Sequence, residues 1–407
     1  MSYDVDNTVS RLSVSRVITL AMAAGITVLG SLGLDARAQG AAPAGVVSRA
    51  NEDLVVEVPA MAATCMAALE RNDERILVVG EGHAVACAKR LWVVYPDANG
   101  TIPAQVPVTV PWPAEVNTAY PVALVFHPHL PLLYVWRHNA AVEATPETPD
   151  DFAHLLVYAF GKKGAAPELL ASLCRGQQYA ARLLPSFMNT DPEGKRLFLP
   201  NLRIQPDKGA LRAAVGYLQL GDDGLPVIVK DQPLSTLIDV ADFKTSPNGW
   251  GFCPVNPRLL LMATEGGLLV WDVVDRRAGL SRVLFPRELM NSQGFLSGDN
   301  RRIYWAGAGI NKLVTMRHAD GYPTLIPTLC QIEGAVFSTP PVMLAGTPKK
   351  LAIGGRGEVI LVGLTNDGSF SGVDARLLLP SQGIVSVMAY MPRMNRLYLP
   401  VEGKHEP

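Results

Sequence analysis

Histidine and cysteine are the side chains with which a chain most readily holds a metal or attacks a bond, so their spacing is weighed first. The densest histidine group is His127-Pro128-His129, with His138 nine residues on. Alternate positions of an extended segment point the same way, so His127 and His129 could share a metal. No carboxylate follows them closely, and an ordinary surface turn accounts for the same residues. The five cysteines, Cys65, Cys87, Cys174, Cys253 and Cys330, contain no C-x-x-C, which removes the usual zinc and dithiol arrangements. Their odd number leaves a thiol over even in a compartment that permits disulfides. The chain also lacks H-E-x-x-H, G-x-S-x-G, a phosphate-binding G-x-x-x-x-G-K-[ST], a dinucleotide G-x-G-x-x-G and a D-x-D-x-D-G calcium loop. No catalytic residue, cofactor or metal is assigned by motif.

Composition narrows the function classes further. The chain has 407 residues, 48% of them hydrophobic, which excludes general disorder. Its net charge of −1 and pI near 6.7 give no field to draw it onto nucleic acid or an anionic membrane. Arg11 and Arg16 precede an uncharged run from Val17 to Leu34, and Ala36-Arg37-Ala38 places small residues before Gln39. That order is the grammar of a signal peptide over residues 1–38, with an uncleaved anchor as the alternative. Residues 39–51, rich in Ala and Gly, read as a flexible lead-in. Residues 52–407 read as one domain, exported to the periplasm or the cell exterior, with no further span.

The elements that must position any site are strands. Pro257 to Asp275, PRLLLMATEGGLLVWDVVD, is two β-forming runs joined by Glu265-Gly266-Gly267, a hairpin by its turn chemistry. The same plan, a turn, a basic residue and a β-run, gives seven copies: ERILVVGEG, LPLLYVWRHN, KRLFLPNLR, PRLLLMATEGG, RRIYWAGAG, KKLAIGGRG and NRLYLPVEG. Their β-runs start at Ile76, Leu133, Leu197, Leu259, Ile303, Leu351 and Leu397, so the later copies repeat every 44 to 48 residues. A period in the forties built of strands predicts one four-stranded blade per copy, hence an all-β, seven-bladed β-propeller of antiparallel blades. In the fourth copy the quartet is Trp250 to Cys253, Leu259 to Ala263, Leu268 to Val274 and Ser281 to Phe285. In the second it is Val122 to Phe126, Leu132 to Trp136, His154 to Phe160 and Leu169 to Leu173. Ala141 to Asp150 and Ser235 to Gly249 read as long connections.

The turn, basic residue and Leu-Tyr-Val-like strand resemble the YVTN-type repeats of bacterial surface and periplasmic propellers and, more distantly, WD-repeat blades. The resemblance covers most of the chain from about residue 60, at the level of the repeat. It implies the architecture; no ligand or catalytic residue carries over, although such propellers include lactonases. The seventh copy stops near the C-terminus, so Asp53 to Val58 is expected to close the ring as an outer strand of the last blade, removing an open sheet edge. A further strand would come from Val46 to Ser48, or the last blade has three.

In such a ring the turns between second and third strands share a face with the connections between blades. The residues placed there are Glu81, His83, Arg137, His138, Asn201, Arg203, Glu265 and Arg356, with Asn311 and Glu402 beside them. Arginine forks bind carboxylates at two points, so these residues could hold a polar, carbohydrate- or carboxylate-bearing ligand. The competing reading is that hairpin turns are polar because they are solvated. The six tryptophans sit in or beside β-runs, as blade-packing residues do, and Asn99-Gly100-Thr101 matches a glycosylation sequon that also makes an ordinary turn. The sequence therefore points to an exported, monomeric binding or scaffold module for a protein, glycan or polar small molecule. The alternative is a lactonase-like or other hydrolase with its site in the funnel. A quinoprotein-like or haem-linked role is disfavoured by the lack of C-x-x-C-H.

Overall fold

A computed structural model describes residues 54–402 except 61–62, 72–73, 82–89, 103–107, 111–118, 140–152, 162–163, 175–187, 205–210, 228–234, 240–244, 265–266, 276, 282–288, 290–293, 308, 325–327, 380–384 and 386. The expected signal, the lead-in, Val46 to Ser48 and the Ala141 to Asp150 insertion lie outside them. No helix among the described residues is long and apolar enough to cross a membrane.

The chain is an all-β, seven-bladed propeller. After β1 (Val55–Ala60), blade 1 is β2 (Ala63–Arg71), β3 (Glu74–Glu81), β4 (Arg90–Val94) and β5 (Val108–Thr109). Blade 2 is β6 (Ala119–Phe126), β7 (Leu132–Asn139), β8 (Ala153–Ala159) and β9 (Glu168–Cys174). Blade 3 is β10 (Asn189–Thr190), β11 (Arg196–Ile204), β12 (Leu211–Leu220), β13 (Pro226–Val227) and β14 (Ser235–Asp239). Blade 4 is β15 (Thr245–Phe252), β16 (Leu259–Thr264), β17 (Gly267–Asp272) and β18 (Arg277–Ser281). Blade 5 is β19 (Gly294–Gly298), β20 (Arg302–Gly307), β21 (Lys312–Ala319), β22 (Tyr322–Pro323) and β23 (Thr328–Gln331). Blade 6 is β24 (Val342–Leu344), β25 (Lys350–Gly354), β26 (Glu358–Leu364) and β27 (Phe370–Leu378). Blade 7 is β28 (Ala389–Met391), β29 (Arg396–Glu402) and the returning β1.

Every one of the seven sequence copies is the second strand of a blade. These strands read as continuous apolar runs because both faces are covered by neighbouring blades, as in β20, buried throughout. Blades 3 and 5 have five strands but four positions. β13 and β14 pair with opposite ends of β12, and β22 and β23 do the same along β21, so each pair is one interrupted outer strand. The Ser235 to Gly249 connection is corrected accordingly, since β14 and β15 occupy much of it. The outer strand of blade 4 also lies earlier than expected, over Arg277–Ser281, where it pairs with β17.

Closure uses the expected strand, β1 being the outer strand of a blade that has three strands among the described residues. β1 pairs with β29, in the third position and in parallel, with Val55 opposite Leu397 and Ala60 opposite Glu402. The reason is directional. Second and fourth strands of an antiparallel blade run the same way, and β1 leads straight into β2 as a fourth strand would. With no third strand between them among the described residues, β1 and β29 meet in parallel. Leu397 donates to the Leu54 carbonyl, so even-numbered residues of β1 turn their peptide groups to β29 and Val55, Glu57 and Pro59 turn theirs outward. A proline and a charged residue on that outer edge hinder further pairing.

The core is distributed between blades. Inner strands touch the next blade around the ring, from β2 against β6 to β28 against β2, with β15 of blade 4 meeting β11 of blade 3. Trp92, Trp136 and Trp305 are buried in these seams, as packing residues. Two seams share a hydroxyl bridge. Thr64 donates to the carbonyls of Gly80 (3.1 Å) and Pro121 (2.6 Å), and Ser338 donates to those of Gly354 (3.1 Å) and Val385 (2.6 Å). The glycines are required by space. A Cβ on Gly80 would lie 2.6 Å from Cys65 Sγ, and one on Gly354 would lie 2.7 Å from Thr339 Cγ2.

Candidate functional site

The ring has two unlike faces. On the lower face lie the turns joining first to second and third to fourth strands; on the upper face lie the second-to-third turns and the connections between blades.

The lower face is cross-linked by the protein's own groups. The Tyr134, Tyr304 and Tyr398 hydroxyls, each on a second strand, donate to the carbonyls of Gly224 (2.6 Å), Gly368 (3.0 Å) and Gly100 (2.9 Å). Each acceptor belongs to a third-to-fourth turn of the next blade, in the left-handed conformation that glycine adopts without strain. Burial raises the pKa of all three phenols, that of Tyr398 to about 12, so they remain donors. Arginines do similar work. Arg302, itself buried, donates to the Asp367 carbonyl (2.6 Å), the Asp367 carboxylate (2.8 Å) and Ser369 (2.9 Å), joining blades 5 and 6. Arg258 bridges Asp272 (2.9 Å) and Asp275 (3.0 Å), while Asp272 accepts the backbone N–H groups of Val274 and Asp275. Trp271-Asp272 is thus a turn cap within one blade.

His127 is a structural turn residue. Its Nδ1 accepts the N–H groups of His129 (3.0 Å) and Leu130 (2.9 Å), so the ring proton is on Nε2, which donates to the Gly194 carbonyl of blade 3 (3.1 Å). Arg71 adds bonds to the carbonyls of His127 and His129. Burial is the main cause of a pKa below the usual histidine value, with His129 and Arg71 acting in the same direction. Both nitrogens being engaged, His127 is not free to bind a metal. His138 lies at the far end of β7, and no cluster of three metal-ligating residues occurs among the described residues. Cys65, Cys253 and Cys330 are free thiols; burial holds Cys65 at a pKa of about 12 and Cys253 at about 11, far from thiolate chemistry at neutral pH. Asn99 lies in the exposed turn organised by Asp97, whose carboxylate accepts the N–H groups of Asn99 and Thr101.

The upper face holds the sequence-derived candidates, with some changes of position. Arg137 and His138 are in β7, opposite Pro121 and Tyr120, and Asn201 and Arg203 are in β11, opposite Ala214 and Arg212. They were expected on turns, but the second-to-third ladders run further than the hydrophobic pattern shows. Glu81 ends β3 and is buried. His83 and Glu265 lie outside the described residues. Glu402 ends β29 opposite Ala60, and Asn311 lies in the turn between β20 and β21, its carbonyl accepting Ile332 N–H. Arg356 is the tip of a tight turn closed by Gly355 N–H to the Glu358 carbonyl (2.9 Å). Its side chain is exposed and makes no hydrogen bond or ion pair among the described residues. Nearby, Glu358 is buried and held by Arg376 (3.1 Å), a pair the sequence reading missed because its members are 18 residues apart on different strands.

These features define a closed propeller whose lower face is cross-linked between blades among the described residues. No family model matches the chain, and no curated protein matches it in sequence. Among solved structures it is similar to a candidate 6-phosphogluconolactonase of Bacteroides uniformis, with 16% identity, a TM-score of 0.53, and coverage of 81% of this chain and 89% of that one. It is also similar to the periplasmic gluconolactonase PpgL of Pseudomonas aeruginosa, with 14% identity, a TM-score of 0.53, and coverage of 80% and 94%. At these identities the likeness shows the fold.

Proposed function

We propose that this propeller is an exported binding module whose upper face takes a polar ligand bearing a carboxylate or sugar hydroxyls. The observation that carries the reading is an exposed turn tip on the upper face: the side chain of Arg356 has no hydrogen bond or ion pair among the described residues, whereas Arg71, Arg258, Arg302 and Arg396 donate to carbonyls or carboxylates of the protein. A guanidinium on a tight turn is a ready carboxylate fork. Export rests on the basic, apolar and A-x-A order of residues 1–38, and the periplasmic location in the name of one solved relative fits it. The test is calorimetric titration of gluconate, with glucose as the neutral control, into wild type and Arg356→Gln. Gluconate binding that weakens about tenfold or more in the variant is expected; equal binding by both proteins removes Arg356 from the site.

A second reading is favoured by the names of the two similar structures, namely hydrolysis of a sugar lactone at the same face. Lactone opening produces a polyhydroxy carboxylate, the ligand class named above, so the two readings share a site and differ in turnover. Proton release from glucono-δ-lactone in a pH-stat separates them: a rate above buffer that tracks protein concentration supports the enzyme, and a rate equal to buffer leaves the binding module.

A further inference from the structure

The turn between β6 and β7 is built on a histidine that serves only while it is neutral. The His127 ring, 4% exposed, is wedged into blade 3. A Cβ on Gly194 would lie 2.4 Å from its Cε1 and 2.5 Å from its Nε2, and one on Gly224 would lie 3.3 Å from its Cδ2. Both glycines have positive φ, +69° and +76°, so blade 3 turns two bare stretches of backbone toward the ring. The ring's Nδ1 accepts the N–H groups of His129 and Leu130, and its Nε2 donates across the seam to the Gly194 carbonyl. On the other side Arg71 of blade 1 holds the carbonyls of His127 (2.9 Å) and His129 (2.6 Å). One imidazole therefore organises a turn that joins three blades.

We propose that acid opens the lower face of the ring at one place, between blades 2 and 3, with His127 as the latch. A second proton must go on Nδ1, where it points at two N–H donors, and imidazolium has no acceptor to offer them. Both turn bonds break together, and the ring leaves the two glycines. Burial chiefly, then His129 and Arg71, disfavours charge on the ring, while the Gly194 carbonyl and Asp191 favour it. Asp191 is already committed to the N–H groups of Lys195 and Arg196 and to the Arg196 guanidinium (3.3 Å). Of the other groups on the facing turns, Lys195 pairs with Asp222, Asp223 accepts Leu225 N–H, and Glu74 and Glu193 are exposed. Tyr134, whose ring centre lies 6.3 Å from that of His127, is kept a neutral donor by burial. Other seams lack this sensitivity. Between blades 5 and 6, hydrogen bonds from Thr365 and Ser369 hold the Asp367 carboxyl, which takes Arg302, well below the usual carboxylate range. Between blades 7 and 1, Arg396 and Tyr398 donate to backbone carbonyls. His318 makes a similar pair of bonds, from Gly321 N–H to Nδ1 (3.1 Å) and from Nε2 to the Asp299 carbonyl (2.8 Å), but both partners are in its own blade 5.

Hydrogen exchange of the full chain from about pH 7 to about pH 4.5, corrected for the intrinsic pH dependence of exchange, tests this. Protection of residues 127–131 and 191–196 is expected to fall about tenfold or more, while that of residues 97–101 and 365–369 changes less than about twofold. His127→Asn, which accepts the turn N–H groups but does not titrate, should keep its protection throughout. His129→Gln, which removes an exposed neighbour that opposes the added charge, should move the opening to higher pH. Protection unchanged in acid overturns the proposal, as does an equal loss at every lower-face turn, a first loss at residues 318–322, or a loss that persists in His127→Asn. Should the asparagine variant fail to fold, an opening unmoved in His129→Gln overturns it equally.

Discussion

Replacing Tyr134, Tyr304 or Tyr398 by phenylalanine removes one hydroxyl and leaves the ring, its packing and its buried area unchanged. Among the described residues each hydroxyl is the one donor to a buried glycine carbonyl of the next blade, at 2.6, 3.0 and 2.9 Å respectively. A made hydrogen bond contributes about 0.5–1.5 kcal/mol, and a buried acceptor left without water costs about 1–3 kcal/mol. Each variant is therefore expected to lose about 1–2 kcal/mol. The seams share no residues, so the triple variant should lose close to the sum. Tyr95 is the control, since its hydroxyl donates to the Ala165 carbonyl at 3.0 Å in an exposed setting where water can replace it; Tyr95→Phe should change stability by less than about 0.5 kcal/mol. Urea unfolding followed by tryptophan fluorescence reads the midpoint, with an unchanged slope showing that only stability moved. If Tyr134→Phe and Tyr398→Phe cost no more than Tyr95→Phe, the lower-face clamps do not stabilise the ring.

Two further outcomes follow from the seams. His127 has a folded pKa depressed below about 6.5, chiefly by burial, so the unfolded chain binds more protons in the window between the two values. Its contribution is complete above that window and is lost as pH falls through it toward the folded pKa. His127→Asn, which keeps an acceptor for the turn N–H groups but does not titrate, should flatten the stability profile there. A profile identical to wild type would show that another group sets it. Gly80→Ala would bring a methyl group within 2.6 Å of Cys65 Sγ and 2.7 Å of Pro121 Cγ, an overpacking expected to cost about 1–3 kcal/mol. Cys65→Ala in the same chain should restore part of that stability, and no recovery would locate the strain at Pro121.

The second strands were legible because they are buried on both faces, which writes an uninterrupted apolar run after a basic residue, as in Arg396-Leu397-Tyr398-Leu399. Outer strands were less so. β27 exposes most of its residues and breaks its register at Ser371 and Asp374, and the outer strands of blades 3 and 5 are interrupted, so no period survives to be read. The closing strand was found, but its third position and parallel pairing go with there being no strand between it and β29 among the described residues, a fact about the ring rather than about Val55–Ala60. In the candidate site, Arg356 was legible through its flanking glycines. The strand positions of Arg137, His138, Asn201 and Arg203 were hidden because polar residues can extend a ladder without a hydrophobic signature. The neutral state and role of His127 were equally invisible, being set by Gly194, 67 residues away.

The central claim is that ligand is taken at the upper face, by the uncommitted groups, while the lower face serves closure. Hydrogen exchange of the wild-type chain with and without saturating gluconate tests it most directly. The account predicts added protection at the Gly355–Gly357 turn and none at the lower-face turns of residues 97–101, 221–225 and 365–369. Protection confined to those lower turns, with residues 355–357 unchanged, would contradict it.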